Sequence, residues 1–203
     1  MSARPFEIDI SNRQNAVPVE LRILREALIK GLQIEEVSSA VLSVSIVDDA
    51  AIHALNRDHL QHDYPTDVIS FQLEFCPGGV SESALHEVDD DAAETNEFAE
   101  EFHGDSDEVG FPEPAGAGVN ERRAAGATIE GEIVASAEMA AAMAKDGRWS
   151  VQSELILYVI HGMLHLCGYD DLSVAEQNIM RERERTILGS LGLTAVYSDD
   201  GRD

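Results

Sequence analysis

The chain predicts an α/β fold, a small mixed sheet with helices packed on it, and three observations carry that expectation. Short runs that alternate apolar and polar residues are interleaved with segments of helical spacing. The last third is helical and contains a nearly continuous apolar run from Glu154 to Ile160. A length of 203 residues at 44% hydrophobic content exceeds what a minimal fold needs for a buried core, and one domain is the simplest count.

Taken in order, Phe6 to Ile10 alternates as a strand, Val19 to Leu32 has helical spacing, and Val41 to Val47 is a second strand ending at Asp48-Asp49. Asp48 or Asp49 caps a short helix through Leu55. Pro65 favours an extended approach and Asp67 to Phe71 alternates, so Thr66 to Glu74 reads as a strand entered from a turn. Thr128 to Ser136 is the next strand and Ala137 to Lys145 an alanine-rich helix. Ser150 or Ser153 caps the following helix. Ser173 and Glu176 form a capping box for a last helix that reaches about Leu188 and is closed by Gly189 and Gly192. The tail from Ser198 to Asp203 is expected to fray.

The most informative segment is His161-Gly-Met-Leu-His165-Leu-Cys-Gly168-Tyr-Asp170-Asp171. In a helix, His161 and His165 fall one turn apart on one face, so two imidazole nitrogens can converge on one ion. Gly168 can adopt the left-handed conformation that ends a helix and turns the chain back, bringing Asp171 toward the same ion. Nitrogen plus carboxylate oxygen suits zinc and leaves a position for water. The alternatives to Asp171 are Asp170 or no third protein ligand at all. Metalloproteases with the HExxH pattern place a general-base glutamate where this chain has Gly162, which argues against peptide hydrolysis. Cys167 lies on a different helix face from the histidines and reads as a buried free thiol.

This segment resembles the signature HGxLHLxGYDH of the YbeY proteins, bacterial metal-dependent endoribonucleases of ribosomal RNA maturation. It departs at the last position, where the family has a third histidine and this chain has Asp171. An aspartate there lowers the Lewis acidity of the site. A second block, Leu55-Asn56 followed by Asp63-Tyr64-Pro65-Thr66-Asp67-Val68-Ile69-Ser70-Phe71, looks like the family's LN…PTDVLSF stretch, whose strand lines the cleft facing the metal. By that resemblance Thr66, Asp67 and Ser70 are cleft residues, although ordinary turn capping and sheet polarity account for the same residues. The family's arginine four residues after the asparagine is Leu60 here; Arg57 or Arg148 are the alternative sources of that charge, which a developing phosphorane needs. Gly131-Glu132-Ile133-Val134-Ala135-Ser136 resembles the family's GDI strand, and reads equally as a generic strand.

The net charge of -25 would ordinarily exclude nucleic acid, which binds through lysine and arginine. Cys76 to Asn120, however, holds 13 acidic residues and no lysine or arginine. Rich in Gly, Ala and Pro and without periodicity, it reads as a disordered acidic insertion at about 76–127, where the family has a shorter connection. Its composition and position suggest competition with RNA at the cleft; unchanged RNA affinity after deletion of residues 80–124 would refute that. The remaining charge of -12 is still acidic, and the interleaved Arg181, Glu182, Arg183, Glu184 and Arg185 read as a solvated face.

Two cysteines, Cys76 and Cys167, are too few for a disulfide framework and suit a reducing compartment. There is no apolar run of about 18 residues, and the N-terminus lacks a signal peptide's apolar stretch, so a cytoplasmic protein with no membrane association is expected. The resemblance implies a four-stranded mixed sheet with about five helices and a metal site on a helix and its following turn. It also implies a single-strand-specific endoribonuclease that uses one Zn2+ ion held by His161, His165 and Asp171, acting in maturation of the 16S ribosomal RNA 3′ end and in ribosome quality control. The implied partners are ribosomal RNA, the small ribosomal subunit and the Era GTPase. The general base is unassigned; His53, His59 and His62 are proton-carrier candidates, with surface or core histidines the favoured reading of all three. The alternative function is a metal-binding ribosome-assembly factor that has lost hydrolysis through Asp171 and Leu60, and a third reading is a metalloprotease.

Overall fold

The alternating strands and amphipathic helices assemble into an α+β structure whose sheet runs in the order β1-β2-β4-β3. The computed structural model describes residues 5–78, 122–147, 149–195 and 197. The acidic segment 79–121, Arg148 and the residues from 198 onward lie outside the described residues. The elements are β1 (Phe6–Asn12), α1 (Leu21–Ile34), β2 (Ser39–Val47), α2 (Asp49–Leu60), β3 (Val68–Cys76), β4 (Thr128–Ser136), α3 (Ala137–Gly147), α4 (Val151–Leu166) and α5 (Val174–Ser190). β1, β2 and β4 are parallel, and β3 joins β4 antiparallel with a register shift between Gln72 and Glu74, so the sheet is mixed.

Alternation within the strands decides which face is buried. Ile8 and Ile10 of β1, Leu42, Val44 and Ile46 of β2, and Ile129 and Ile133 of β4 share one core with Leu24, Leu28 and Leu32 of α1 and with most of α4. Each such side chain removed from water contributes about 1.5–3 kcal/mol, which fixes α1 and α4 on that face. On the opposite face Ile52 of α2 packs with Val47, Ile69 and Val134, with Leu55 and Phe71 at the margin. α5 packs on α4 and α1. α4 therefore lies between the sheet and α5 and is apolar nearly all round.

The helix ends resolve the choices the sequence left open. Asp48 caps α2, accepting from the Ala51 amide at 2.8 Å, and Ser150 caps α4, accepting from the Ser153 amide at 3.0 Å. Ser173 accepts from the Glu176 amide at 3.2 Å. The Glu176 carboxylate, instead of completing the box, takes Arg123 at 2.6 Å. α2 runs past Leu55 to Leu60 because Asn56 is a buried helix residue that donates to the Tyr64 carbonyl at 2.8 Å, pinning the loop that enters β3. Gln61, at φ 60°, then ends the helix in the left-handed region.

The expectation of a solvated charged face on the last helix is corrected. Arg183 is 8% exposed and Glu184 2% exposed, because the α5 face that carries them is turned inward. Alternating charge predicts solvation only where the helix has one open face. Arg183 donates to Glu35, which is fully buried beyond the end of α1, through Nε at 2.9 Å and Nη2 at 2.6 Å.

Candidate metal centre

His161 and His165 occupy the last two turns of α4, and their Nε2 atoms approach to 3.0 Å. Each ring is oriented from behind. His161 Nδ1–H donates to Glu184 Oε1 of α5 at 2.7 Å, and His165 Nδ1–H donates to the Tyr169 carbonyl at 3.0 Å. Both partners are acceptors, so both rings carry their proton on Nδ1 and turn an Nε2 lone pair toward the same point. Gly168, at φ 86°, makes the left-handed turn that redirects the chain. Asp171 then returns, with Oδ2 at 3.7 Å from His161 Nε2 and Oδ1 at 4.0 Å from His165 Nε2. Asp170 turns its carboxylate back onto the Asp171 amide at 2.8 Å.

These residues fit a divalent ion. Among the described residues, His161, His165 and Asp171 form the one group of this kind whose ligand atoms all lie within 4.8 Å of one another. Two ligands about 2.0–2.1 Å from a tetrahedral ion are separated by roughly 3.3 Å. Two facing lone pairs have no hydrogen between them, so a cation at their meeting point satisfies both. The electrostatics of the rings differ. Burial pushes the His161 pKa down, but the hydrogen bond and charge of Glu184, joined by Asp67 and Asp171, outweigh it and the net shift is upward from 6.5. Burial and the neighbouring His161 lower that of His165, against Asp171, the Tyr169 carbonyl and Asp170.

The site opens on a cleft of about 430 Å³ lined by Thr66 to Ser70, Gln72, His161, His165, Leu166 and Asp171. The structure thus brings Thr66, Asp67 and Ser70 alongside His161, His165 and Asp171. Asp67 also has a structural task, since its carboxylate accepts from the Thr66 hydroxyl at 3.0 Å and the Val68 amide at 2.9 Å. Arg57 is not among the lining residues; it is exposed on α2 and paired with Asp58 at 3.0 Å. None of the described lining residues is a lysine or arginine. His53, His59 and His62 also lie off the cleft: His53 pairs with Asp63 at 2.9 Å, His59 meets Phe71 edge-on, and His62 stacks on Tyr64. Cys167 is a buried free thiol and Cys76 an exposed one, while Glu132 is exposed on β4.

Gly162 explains why no protease-type glutamate sits between the histidines. A Cβ at this position would lie 3.0 Å from Ile133 Cγ2 and 3.2 Å from Val68 Cγ2, so the position faces the sheet and allows α4 to approach it closely. A side chain here would collide with Ile133 and Val68.

The supporting residues were missed by sequence reasoning. Tyr169 lends its carbonyl to His165 and its phenol to Glu35 Oε2 at 2.7 Å. Arg123 holds the same turn, donating to the Gly168 carbonyl at 3.0 Å and lying 5.0 Å from the Tyr169 ring centroid. Glu184 sits among alternating charges, and no local pattern distinguishes it; its spacing of 23 residues from His161 is set by how α5 folds back on α4.

An i, i+4 histidine pair with a carboxylate beyond a glycine stop, set at the edge of a strand-lined cleft, is a donor set of the kind that fits a divalent metal ion. A family model described as Endoribonuclease YbeY matches residues 9–192. The chain is similar to the Endoribonuclease YbeY of Thermoanaerobacter sp. (strain X514), at 34% identity over 93% of this chain and 99% of that one. It is 32% identical to that of Carboxydothermus hydrogenoformans over 91% of this chain and 97% of the relative, and 31% identical to that of Rhodopirellula baltica over 87% and 67%. Among solved structures it aligns with the solution structure of TM1509 from Thermotoga maritima over 97% of this chain and 99% of that chain, at 19% identity and a TM-score of 0.47. The chain belongs to the YbeY endoribonuclease family, a family of nucleases. No helix among the described residues is long and apolar enough to cross a membrane.

Proposed function

We propose that this protein is a single-strand-specific endoribonuclease of the cytoplasm that matures the 3′ end of small-subunit ribosomal RNA and serves ribosome quality control, using one zinc ion. The observation that carries this reading is the convergence of His161 Nε2, His165 Nε2 and an Asp171 oxygen at the edge of the cleft beside β3. His161, His165 and Asp171 would hold the ion. When bound, it supplies Lewis acidity toward a phosphate oxygen and lowers the pKa of a water. The chain's own residues orient and position. Glu184 and the Tyr169 carbonyl fix the imidazoles, and the Ser70 hydroxyl and the Gln72 amide offer uncharged donors along the groove to the ribose-phosphate chain. Family membership also supports contact with the small ribosomal subunit and the Era GTPase as partner.

A specific observation favours a second reading, a metal-binding assembly factor without hydrolysis. None of the described cleft-lining residues supplies the positive charge that phosphoryl chemistry draws on besides the metal. Metal content of gently purified wild-type protein beside His165→Ala and Asp171→Ala, with cleavage of a single-stranded ribosomal RNA fragment on the same samples, separates the two. Loss of one ion and of cleavage together in both variants is the expected result. Metal that persists without Asp171, or bound metal with intact RNA, overturns the hydrolase reading.

A further inference from the structure

Glu184 is 2% exposed, and both of its oxygens are taken. Oε1 receives the His161 Nδ1–H at 2.7 Å, and Oε2 receives the phenol of Tyr197 at 2.6 Å. Tyr197 lies beyond the end of α5, after the chain has turned at Gly192, φ 74°. Its ring is held against the helix by two guanidinium groups, with Arg181 Cζ at 4.9 Å and Arg185 Cζ at 5.0 Å from the centroid. The order along the contact path is therefore Arg181 and Arg185, Tyr197, Glu184, His161.

We propose that Tyr197 and Glu184 form a positioning pair for the metal centre, in which the Tyr197 phenol sets the affinity of the site through the orientation and tautomer of His161. The inference rests on His161, His165 and Asp171 being the metal site. A buried carboxylate with one oxygen unsatisfied loses the donor that balances it, and it turns or exchanges partners to recover one. Oε1 then no longer holds the imidazole, and Nε2 is no longer committed as a lone pair toward the ion. Burial and the charge of Glu184 hold the Tyr197 phenol protonated, so it acts as a donor throughout the neutral range. Glu184 and Tyr197 do not touch substrate; they act through His161. Sequence pattern hides the pair, since Glu184 is one of five alternating charges and Tyr197 stands past the last helix.

The test is zinc affinity, measured by competition titration against a chromophoric chelator on the full metal-free chain, for wild type, Tyr197→Phe and Glu184→Gln. Thermal unfolding of the same metal-free samples is recorded alongside. Tyr197→Phe removes one oxygen and keeps the ring under its two arginines. It should weaken zinc binding by about tenfold, and Glu184→Gln by about 10–100-fold, the range found for partners of metal-bound histidines. The metal-free melting temperature of Tyr197→Phe should stay within a few degrees of wild type, which a merely structural role for the phenol would not combine with lost affinity. Wild-type affinity in Tyr197→Phe overturns the proposal, whether or not Glu184→Gln folds. A wild-type protein that binds no zinc refutes the site itself, and is thereby distinguished from failure of the pair.

Discussion

His161 and His165 are one turn apart on the same helix, yet they are held by two different kinds of support. Behind His161 stands a carboxylate from another helix, one hydrogen bond away, itself tied to Tyr197. Behind His165 stands a backbone carbonyl of its own turn, and that turn is fixed at a remove by the Tyr169 phenol on Glu35 and by Glu35 on Arg183. Arg183 and Glu184, adjacent in sequence, serve the two arms separately. One arm is electrostatic and acts directly on His161; the other is architectural and acts through the scaffold. Damage to the first should appear in metal affinity, and damage to the second in stability.

The largest effect should come from breaking the architectural arm. Arg183→Met leaves Glu35 buried with the Tyr169 phenol as its remaining charge-stabilising partner, and removal of one member of a buried ion pair costs about 3–5 kcal/mol. Urea unfolding of metal-free protein should show that loss; a cost below about 1 kcal/mol would mean that Glu35 is easily rehydrated. Next in size is Tyr169→Phe, which removes a hydrogen bond to a charged group while leaving the carbonyl on His165 in place. It should cost about 1.5–3 kcal/mol and change zinc affinity much less than Glu184→Gln does. Equal affinity losses in these two variants would erase the distinction between the arms. Ser150→Ala at the start of α4 should cost about 1 kcal/mol with zinc affinity intact, because a frayed first turn lies far along the helix from His161.

The smallest effect, and the sharpest discriminator, is pH. In the metal-free protein the raised pKa of His161 contributes stability that is full below 6.5 and is lost as pH rises through the folded value. His165, shifted down, contributes the opposite: its part is full above 6.5 and is lost as pH falls through its lower folded value. Zinc needs both rings neutral, so its affinity should begin to fall above 6.5 as pH is lowered, when His161 takes up its proton. Glu184→Gln should move that midpoint downward, since the charge that raises it is gone. A midpoint that stays put would assign the shift to Asp67 and Asp171 instead.

Much of this was legible in the sequence for physical reasons. Strand alternation marked the buried faces, and the HxxxH spacing with Gly168 brought three ligand candidates to one place because helix geometry and a left-handed turn are local properties. α2 extends five residues beyond Leu55 because Asn56, a residue of modest helix propensity, is fixed by its buried bond to the Tyr64 carbonyl, a partner outside the helix. Arg183 and Glu184 were read as solvated because α5 buries an additional face against α4 and α1, which no periodicity in α5 itself reports. Glu35, Arg123 and Tyr197 reach the site from other parts of the chain, and such long-range partners leave no trace in local spacing.

β3 and β4 are antiparallel neighbours whose ends, Cys76 and Thr128, face each other across the ladder, and Gly78 already lies against the Ala125-Gly126 backbone. The chain that departs after residue 78 therefore comes back to the place it left. For such a junction the cost of extra length grows only with its logarithm. For a flexible connection, each doubling of its length costs only about 0.6 kcal/mol. That makes this corner of the sheet a permissive site for genetic insertion: sequence can be added, exchanged or trimmed there at modest thermodynamic penalty. The same corner is the natural place for an engineer to splice a short turn or to graft a tag.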